Sequence, residues 1–515
     1  MKPVRSFVVL LVMGMGLVSQ SSNLDTIGLT LLRQVDPTLN GNGVRVAQVE
    51  GSYLVVNAFE VSPAVVAQPV GLFTYYSSSG TAATFPNAVG TQSPHADSVA
   101  GNFYGNTGFG VATNISHVDN YEAASFFNTR IGPASPVQIP AVVVNQSFVR
   151  SDLPTSAVDP DYDNFTFNKK TLFVNGAGNG GSVSTNPPAT SFNGITVGVT
   201  DGASAVGPTA DGRSKPDITC PGSGATSFST PQVSGAAAIL IQAARRGDAG
   251  AGSAVVATNP ITIKALLLNG ALKPAGWTNG PVTPLDARYG AGVLNVFNSW
   301  RQLSGGLHAS NETTTVTTGN PHPPGSATNN QPSLSGWDHA PVSTTASQDK
   351  AVHYYFNLTN EAAFTGTATL VWNLQNNRTA ANNLDLFLYN TGNGALVLSS
   401  TSSVDNVEHL FIPKLSPGRY DLQVLKRGSG QVVSSETYAL AYEFFSLNLK
   451  CARSNGYATL SWTNYPTGFQ LMSASSLNAP AVWAPVTAAV TMSNGQNFVS
   501  VPIAGASQFF RLQRP

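Results

Sequence analysis

Short apolar runs that end in glycine, asparagine or aspartate alternate with longer small-residue or amphipathic stretches between residues 44 and 300. This alternation is typical of parallel strands joined by crossover helices. Buried parallel strands are apolar throughout because both faces of their sheet are covered. The runs are residues 44–49, 141–144, 171–174 and 195–199. The sequence therefore predicts an α/β domain with a parallel sheet. Its clearest helix follows Ser227 and includes the apolar stretch 233–244, and a second helix covers residues 260–269.

The second half of the chain has a different pattern. Residues 308–349 are crowded with Thr, Ser, Asn, Pro and Gly, which indicates a linker or irregular loop. Strand-like runs separated by turn residues then predict an antiparallel sandwich. These runs are 353–358, 368–372, 384–389, 409–412, 420–425 and 438–442. Short strands such as 458–462 and 498–503 indicate a further small β module.

The first residues indicate the cellular compartment. Lys2 and Arg5 precede an apolar run over residues 7–18, which suits a signal peptide but is short for a membrane span. We expect residues 1–21 to be a cleaved signal peptide and the protein to be secreted or held at the cell surface; the alternative is a retained N-terminal anchor. The predicted division of the remaining chain is a catalytic domain at 22–305, a linker at 306–349, a sandwich at 350–446 and a small β domain at 447–515.

Composition excludes two classes of partner. Charged residues make up 10% of the chain, and the 26 Lys and Arg residues balance the 26 Asp and Glu residues. Soluble domains usually carry about 25% charged residues. Nothing here attracts nucleic acid or an anionic membrane surface. Cys220 and Cys451 lie far apart, so we expect two buried free thiols and no disulfide framework.

One serine stands where a nucleophile could be activated. A serine hydroxyl needs a base, a group that orients the base, and donors for the developing oxyanion. Ser227 lies at the mouth of the apolar helix, where free amides and the helix dipole favour negative charge. Pro231 is expected in the first helical turn, which loses no internal hydrogen bond. The alternative for Ser227 is an ordinary helix cap.

Two further segments offer the remaining parts. His95 lies just before a small-residue helix, and Glu50 ends a buried strand at the carboxyl edge, where open parallel sheets place their sites. Taken alone, the histidine could be structural and the carboxylate a turn residue. Because all three lie in one α/β domain, we predict Ser227 as nucleophile, His95 as base and Glu50 as the orienting acid. Asp97, two residues beyond His95, is expected to point elsewhere.

These segments resemble the subtilase family of serine peptidases, whose acid, histidine and serine follow in this chain order. Residues 215–235 are similar to the family's nucleophile region, and the resemblance covers about residues 40–300. Flanking stretches that are also similar are 207–213, 263–267 and 289–292. The resemblance implies a subtilisin-like three-layer fold and endopeptidase activity on polypeptides through an acyl-enzyme on Ser227. Residues 174–179 are similar to the family's oxyanion loop, which implies that role for Asn179.

The predicted sandwich resembles the jelly-roll domain appended to some subtilases, through residues 383–386, 405–408 and 417–420. Such domains sometimes bind calcium, and Asp385, Asp405 and Glu408 are hard oxygen ligands. Solvated acidic loops are the alternative. The mechanism that the family implies requires no cofactor, and we expect a monomer without a membrane span after signal cleavage.

The chain departs from the family pattern at the acid and before the nucleophile. Glu50 stands where the family has aspartate, and Ala225 stands where it has glycine. If that backbone requires a positive φ, alanine is strained by about 1 kcal/mol. These departures leave two alternatives open: an impaired pseudoprotease that binds through its cleft, and a surface protein whose function lies in the β domains.

Overall fold

The computed structural model of the protein describes residues 23–52, 57–181, 184–319, 324–325, 328–359, 363–446, 449–463, 469–478, 481–493, 496–503 and 507–513. The predicted signal peptide, residues 1–21, lies outside these ranges. Within them, no helix combines the length and the apolar character that crossing a membrane requires.

A mostly parallel sheet organises the first part of the chain. Its strands, with a small side pair, are β1 (Arg45–Glu50), β2 (Ala58–Glu60), β3 (Phe73–Ser77), β4 (Gly80–Ala82), β5 (Thr91–Gln92), β6 (His117–Glu122), β7 (Val143–Gln146), β8 (Leu172–Gly176), β9 (Ile195–Val199) and β10 (Ile218–Cys220). The eight-stranded sheet has the order β10-β9-β8-β7-β1-β6-β3-β4, and β2 pairs with β5 beside it. Only β4 runs antiparallel to its neighbour in the large sheet.

Helices cover this sheet on both sides. In the described ranges the α-helices are α1 (Leu29–Val35), α2 (Pro94–Phe103), α3 (Ala123–Phe126), α4 (Thr155–Lys169), α5 (Thr226–Arg246), α6 (Ala254–Ala257), α7 (Pro260–Asn269) and α8 (Val296–Ser304), with a short helical turn at residues 23–26. A 3-10 turn lies at Val70–Leu72, and a π-helical turn at Phe127–Ile131 continues α3. Val46 and Val174 face the core formed with α2, α5 and α7. Ala47 and Phe173 face a second core formed with α4. Because successive strand residues point to opposite faces, this pattern gives three layers, and the predicted α/β architecture is confirmed.

One helix boundary differs from the prediction. The helix predicted to follow Ser227 begins one residue before it, at Thr226, so Pro231 lies in its second turn and not in its first. The first turns of α5 are polar although they are largely buried, with Thr226, Ser229 and Thr230 among the buried residues. The helix at Pro260–Asn269 has the predicted bounds, and all ten of its residues are buried.

Two antiparallel sheets form the sandwich. Its strands are β11 (Glu312–Thr317), β12 (Ser335–Ser343), β13 (Gln348–Leu358), β14 (Phe364–Trp372), β15 (Leu384–Asn390), β16 (Leu396–Ser400), β17 (Val407–Leu415), β18 (Gly418–Lys426) and β19 (Ser435–Phe445). The sheet orders are β11-β13-β18-β15-β16 and β12-β19-β14-β17. The stretch 306–349, predicted to be irregular, thus contains β11 and β12. β11 pairs along its full length with β13, and β12 pairs along its full length with β19. This backbone pairing makes both segments strands although their polar sequences do not indicate it.

The sandwich packs on the α/β domain through alternating residues of β19. Tyr438, Leu440 and Tyr442 point into the sandwich core, whereas Ala439 and Ala441 belong to the core of the α/β domain. The small alanine side chains let the sheet lie close to α7. At the end of that helix, Asn269 accepts hydrogen bonds at 3.0 Å from two threonine hydroxyls of β14. The two parts therefore share one continuous core.

Three acids considered as calcium ligands are interior groups and not parts of solvated loops. Asp385 accepts a 2.6 Å hydrogen bond from Arg427, and Asp405 accepts one at 2.8 Å from the backbone of Ser214 in the α/β domain. Burial raises the pKa of Glu408 well above its usual range. Among the described residues, no group of three or more acidic, histidine or cysteine side chains has an arrangement that could hold a metal ion. A calcium site here stays a prediction.

The last part of the chain forms two smaller sheets. Its strands are β20 (Lys450–Ser454), β21 (Tyr457–Thr463), β22 (Gln470–Ala474), β23 (Ala484–Pro485), β24 (Thr491–Ser493), β25 (Gln496–Pro502) and β26 (Phe509–Gln513). Leu460 and Trp462 lie in their core. Cys451 is exposed on the edge strand β20, whereas Cys220 is buried, so the prediction of two buried thiols is right for Cys220 alone.

The shared core makes the two parts unfold together. Ala441→Arg places a charge in the buried contact between β19 and α7. We expect the free energy of interaction between the sandwich and the α/β domain to fall by about 4 kcal/mol. Calorimetry should then show two separate unfolding transitions. Ala395→Arg, at an exposed position, should keep the single transition of the unmodified protein. A single transition at the unmodified temperature in the Ala441 variant would contradict the shared core.

Candidate active site

The acid and the histidine come from neighbouring elements. Glu50 is the last residue of β1, and His95 is the second residue of α2. Ser93 caps α2 by accepting a hydrogen bond from the backbone of Ala96, and Pro94 occupies the first helical position, where its missing N–H costs nothing. The cap and the proline fix the start of the helix, and with it the position of the imidazole.

Glu50 and His95 are in direct contact. The Nδ1 atom of His95 lies 2.9 Å from Oε2 of Glu50, and the side chains are 22% and 1% exposed. Burial lowers the pKa of His95, but the hydrogen bond and the negative charge of Glu50 outweigh burial and leave that pKa above its ordinary value. The extra methylene of glutamate, compared with aspartate, thus does not prevent the carboxylate from reaching the ring.

Ser227 lies in the first turn of α5, where backbone N–H groups have no partner within the helix. Pro231 has no N–H to give to the carbonyl oxygen of Ser227, four residues earlier. The hydroxyl of Ser147, just after β7, donates to that oxygen at 3.2 Å instead. The Ser227 hydroxyl lies 3.4 Å from the Ser147 carbonyl oxygen, a long hydrogen bond from which it can rotate.

Asn179 lies beside this turn with its amide in a defined orientation. Its Oδ1 atom accepts hydrogen bonds from the backbone and the hydroxyl of Thr226, at 2.9 and 3.1 Å. Since both donors face the oxygen, Nδ2 is the atom directed away from Thr226. The structure therefore brings Asn179 to the residue next to Ser227, with an amide donor to offer.

Ala225 carries no backbone strain. Its φ of −142° is extended backbone, which any residue adopts. The positive φ values lie earlier in the loop, at Ser223 (48°) and Gly224 (86°). Asp201 accepts a 2.8 Å hydrogen bond from the Gly224 backbone and holds this turn. The strain considered for Ala225 is thus absent, because the left-handed turn is complete before residue 225.

Close packing brings the two helices of the site together. A methyl group added at Gly235 of α5 would lie 2.6 Å from Val111, and 3.3 Å from the carbonyl oxygen of Phe103 at the end of α2. Only glycine permits this approach. A cavity of about 620 Å³ opens between the helix starts. Its lining includes Pro94, Ser98, Gly101, Phe109, Ser223 and Phe228.

Asp97 lines the cavity, but its carboxylate is bonded to other partners than His95. Its carboxylate accepts hydrogen bonds from the backbone of Ser62 at 2.7 Å and from the side chain of Gln92 at 2.6 Å. Both partners lie on the side of α2 that holds the small β2 and β5 pair.

Sequence reasoning missed two buried residues behind the acid. Gln48 donates to Glu50 at 2.8 Å, and Tyr104 donates to Gln48 at 2.6 Å. A signal for Gln48 was present, since a polar residue two positions before Glu50 shares its face of an otherwise apolar strand. Tyr104 carried none, because a tyrosine after a helix is ordinary.

A second hydroxyl, imidazole and carboxylate also lie in line, within the sandwich. His353 is 2.7 Å from the hydroxyl of Thr314 and 2.9 Å from the carboxylate of Asp421. The three residues lie on the adjacent strands β11, β13 and β18, and His353 is 1% exposed. An imidazole so enclosed cannot meet a substrate, and we interpret this group as interior hydrogen bonding.

Among known protein families, the subtilase family matches this chain over residues 74–292. This range contains His95, Asn179 and Ser227 but not Glu50. No curated protein sequence matches the chain. Among solved structures, the prenylagaramide maturation protease PagA is 20% identical, with a TM-score of 0.38 over 54% of this chain and 99% of that chain.

Two further structures are similar to a comparable extent. The self-cleaved protease domain of PatA is 22% identical, with a TM-score of 0.37 over 52% of this chain and 99% of that chain. The psychrophilic subtilisin-like protease Apa1 from the Antarctic psychrotroph Pseudoalteromonas sp. AS-11 is 13% identical, with a TM-score of 0.34 over 54% of this chain and 97% of that chain. The likeness to the subtilase family rests on the matched sequence and not on these structures. The match over residues 74–292 to the subtilase family supports a serine endopeptidase, a hydrolase of peptide bonds.

Proposed function

We propose that the chain hydrolyses polypeptides through an acyl-enzyme on Ser227, with His95 as general base, Glu50 as the orienting acid and Asn179 in the oxyanion hole. The observation that carries this proposal is the 2.9 Å contact between His95 Nδ1 and the buried carboxylate of Glu50. A carboxylate at Nδ1 fixes the proton on that nitrogen and leaves Nε2 as the basic atom.

The proposed reaction starts when His95 Nε2 takes the proton of the Ser227 hydroxyl as its oxygen attacks the scissile carbonyl. Glu50 stabilises the imidazolium that forms. Asn179 Nδ2 and the Ser227 backbone N–H donate to the tetrahedral oxyanion, each contributing roughly 3 kcal/mol. His95 then gives its proton to the leaving amine, and a water molecule hydrolyses the acyl-enzyme by the same steps.

The cavity between the helix starts is the proposed place for a substrate side chain. It adjoins both catalytic helices, since Pro94 precedes His95 and Phe228 follows Ser227. Phe109 and Val65 add apolar surface to its lining, and Asp97 adds a carboxyl group that disfavours a negatively charged side chain. We therefore propose that it accepts an uncharged, apolar side chain near the scissile bond.

We also propose that the enzyme is secreted as a monomer. The charged and apolar pattern of residues 1–21 supports secretion. We propose that the sandwich is of the jelly-roll kind; its five-stranded and four-stranded antiparallel sheets support this. Its shared core with the α/β domain suggests a structural role for it beside the site.

A serine-reactive fluorophosphonate tests the nucleophile. The purified protein should be labelled at Ser227 in a time-dependent reaction, and Ser227→Ala should abolish the labelling while circular dichroism stays unchanged. Ser229→Ala, which alters a buried serine two residues later, is the matched control and should be labelled normally. Equal labelling of the unmodified protein and Ser227→Ala would favour a binding protein over an enzyme.

The pH dependence tests the acid. His95 must be neutral to act as a base, so activity should rise with pH through its pKa, which lies above the ordinary 6.5. Glu50→Gln removes the influence that raises this pKa and leaves burial, which lowers it. We expect turnover to fall on the order of 10⁴-fold and the acid limb of the labelling rate to move below pH 6.5. Asp152→Asn, at an exposed ion pair, should change neither; an unmoved acid limb in Glu50→Gln would show that Glu50 does not act on His95.

Filling the cavity tests where the substrate binds. No atom lies within 4 Å of a methyl group added at Gly101, so a larger side chain can project into the cavity without a clash at its base. Gly101→Phe should lower kcat/KM for polypeptides about tenfold, a loss of about 1.4 kcal/mol, and leave fluorophosphonate labelling unchanged. Gly101→Ala is the control; it should keep activity and stabilise α2 by about 0.5–1 kcal/mol. Undiminished cleavage by the phenylalanine variant would place the substrate elsewhere.

A further inference from the structure

Two polar side chains lie side by side at the end of β1. Gln48 and Glu50 are two residues apart on one strand, so their side chains share the face of the sheet that is covered by α2. Gln48 is fully buried and Glu50 is 1% exposed. A buried glutamine in a strand that is otherwise apolar at this depth requires hydrogen-bond partners to offset its desolvation.

Every polar atom of the Gln48 amide has such a partner. Its Nε2 atom donates to Oε1 of Glu50 at 2.8 Å and to the carbonyl oxygen of Ala96 at 2.9 Å. Its Oε1 atom accepts the hydroxyl proton of Tyr104 at 2.6 Å. A flipped amide would set its oxygen against two acceptors, so this orientation alone satisfies the group.

Tyr104 fixes the orientation from the far end of α2. It caps the helix that begins beside His95, and its side chain is fully buried. Burial raises the pKa of Tyr104 well above its ordinary value, so its hydroxyl stays a donor throughout the pH range of the enzyme. The chain of donors thus runs in one direction, from Tyr104 through Gln48 to Glu50.

The two oxygens of Glu50 have different partners as a result. Oε1 accepts from Gln48 and Oε2 faces His95 Nδ1. Glutamate has one more rotatable bond than aspartate, and a single hydrogen bond to His95 would leave the carboxylate free to turn. The second contact fixes its plane. Because Gln48 also holds Ala96, it sets the distance between the acid and the residue next to the base.

We propose that Gln48, oriented by Tyr104, is a positioning residue that fixes the Glu50 carboxylate in the plane in which it orients His95. The inference rests on the proposed function of Glu50 and His95, and it deepens that function. Neither Gln48 nor Tyr104 touches substrate. Their effect is transmitted through the carboxylate, so it should be seen in kcat and in the state of the imidazole, and not in KM.

The decisive variant is Gln48→Leu, which keeps the volume and removes the amide. Loss of the groups that orient metal-ligating side chains in a comparable way typically costs about 10- to 100-fold in activity. We expect kcat for a peptide substrate and the labelling rate at Ser227 to fall by about that factor, with KM unchanged. In proton NMR, the low-field resonance of His95 Nδ1–H, identified by its loss in Glu50→Gln, should shift or broaden.

Tyr104→Phe keeps the proposal testable if Gln48→Leu does not fold. It removes one hydroxyl and leaves the Gln48 amide free to rotate. We expect smaller changes in kcat, in the labelling rate and in the His95 resonance than in Gln48→Leu, with a fall in kcat of about tenfold. Tyr442→Phe, at a buried tyrosine of the sandwich, is the matched control and should leave kcat and the resonance unchanged.

The outcomes separate this inference from the proposed function. If the unmodified protein is labelled and a folded Gln48→Leu or Tyr104→Phe variant keeps its kcat, pH profile and His95 resonance, the positioning role is overturned while the enzyme stands. If the unmodified protein is not labelled, the proposed function fails. The resonance then still decides the positioning role, which is overturned if the signal is the same with and without Gln48.

Discussion

A carboxylate removed from water at the end of β1 is the constraint on which the site depends. Isolating such a charge in a protein interior costs several kcal/mol unless hydrogen bonds replace its hydration. Glu50 has them on both oxygens, from His95 on one side and from Gln48 on the other. The acid therefore fixes more than the imidazole. The contact between Glu50 and His95 requires α2 to begin beside the carboxylate. The cap at Ser93 and the proline after it fix the helix start at that position.

The serine side of the site depends on contacts of another kind. Gly235 lets α5 approach the segment around Val111, and Pro231 frees the Ser227 carbonyl for the Ser147 hydroxyl. These are local features, yet they hold only if α5 stays in place in the core. That core extends into the sandwich, where Ala441 packs toward the α/β domain. The sandwich thus packs on the core that also holds the helix carrying Ser227, the proposed nucleophile.

Much of this could be predicted from sequence because buried parallel strands and the helix at 260–269 are apolar throughout. The sequence predicts that α5 starts close to Ser227, but not the contact that stabilises its first turn, because Asn179 lies 48 positions before Ser227 in the chain. The sequence predicts an irregular segment at residues 312–317, because these residues form a strand through pairing with β13 and not through a pattern of their own. The polar side chain of Gln48 on a buried strand face is a signal in the sequence, but its hydrogen-bond partners Ala96 and Tyr104 come close only in the fold.

The departure from aspartate is best understood as a change in two residues and not one. A longer acid reaches the histidine along a different path and has an additional torsion to fix. Gln48 supplies the fixing contact, and it does so from the strand that also carries the acid, so the two side chains move together if the strand shifts. Tyr104 then sets the amide from the end of α2, the helix that carries His95. The orientation of the imidazole thus depends on both β1 and α2, and these contacts fix the additional torsion of the glutamate.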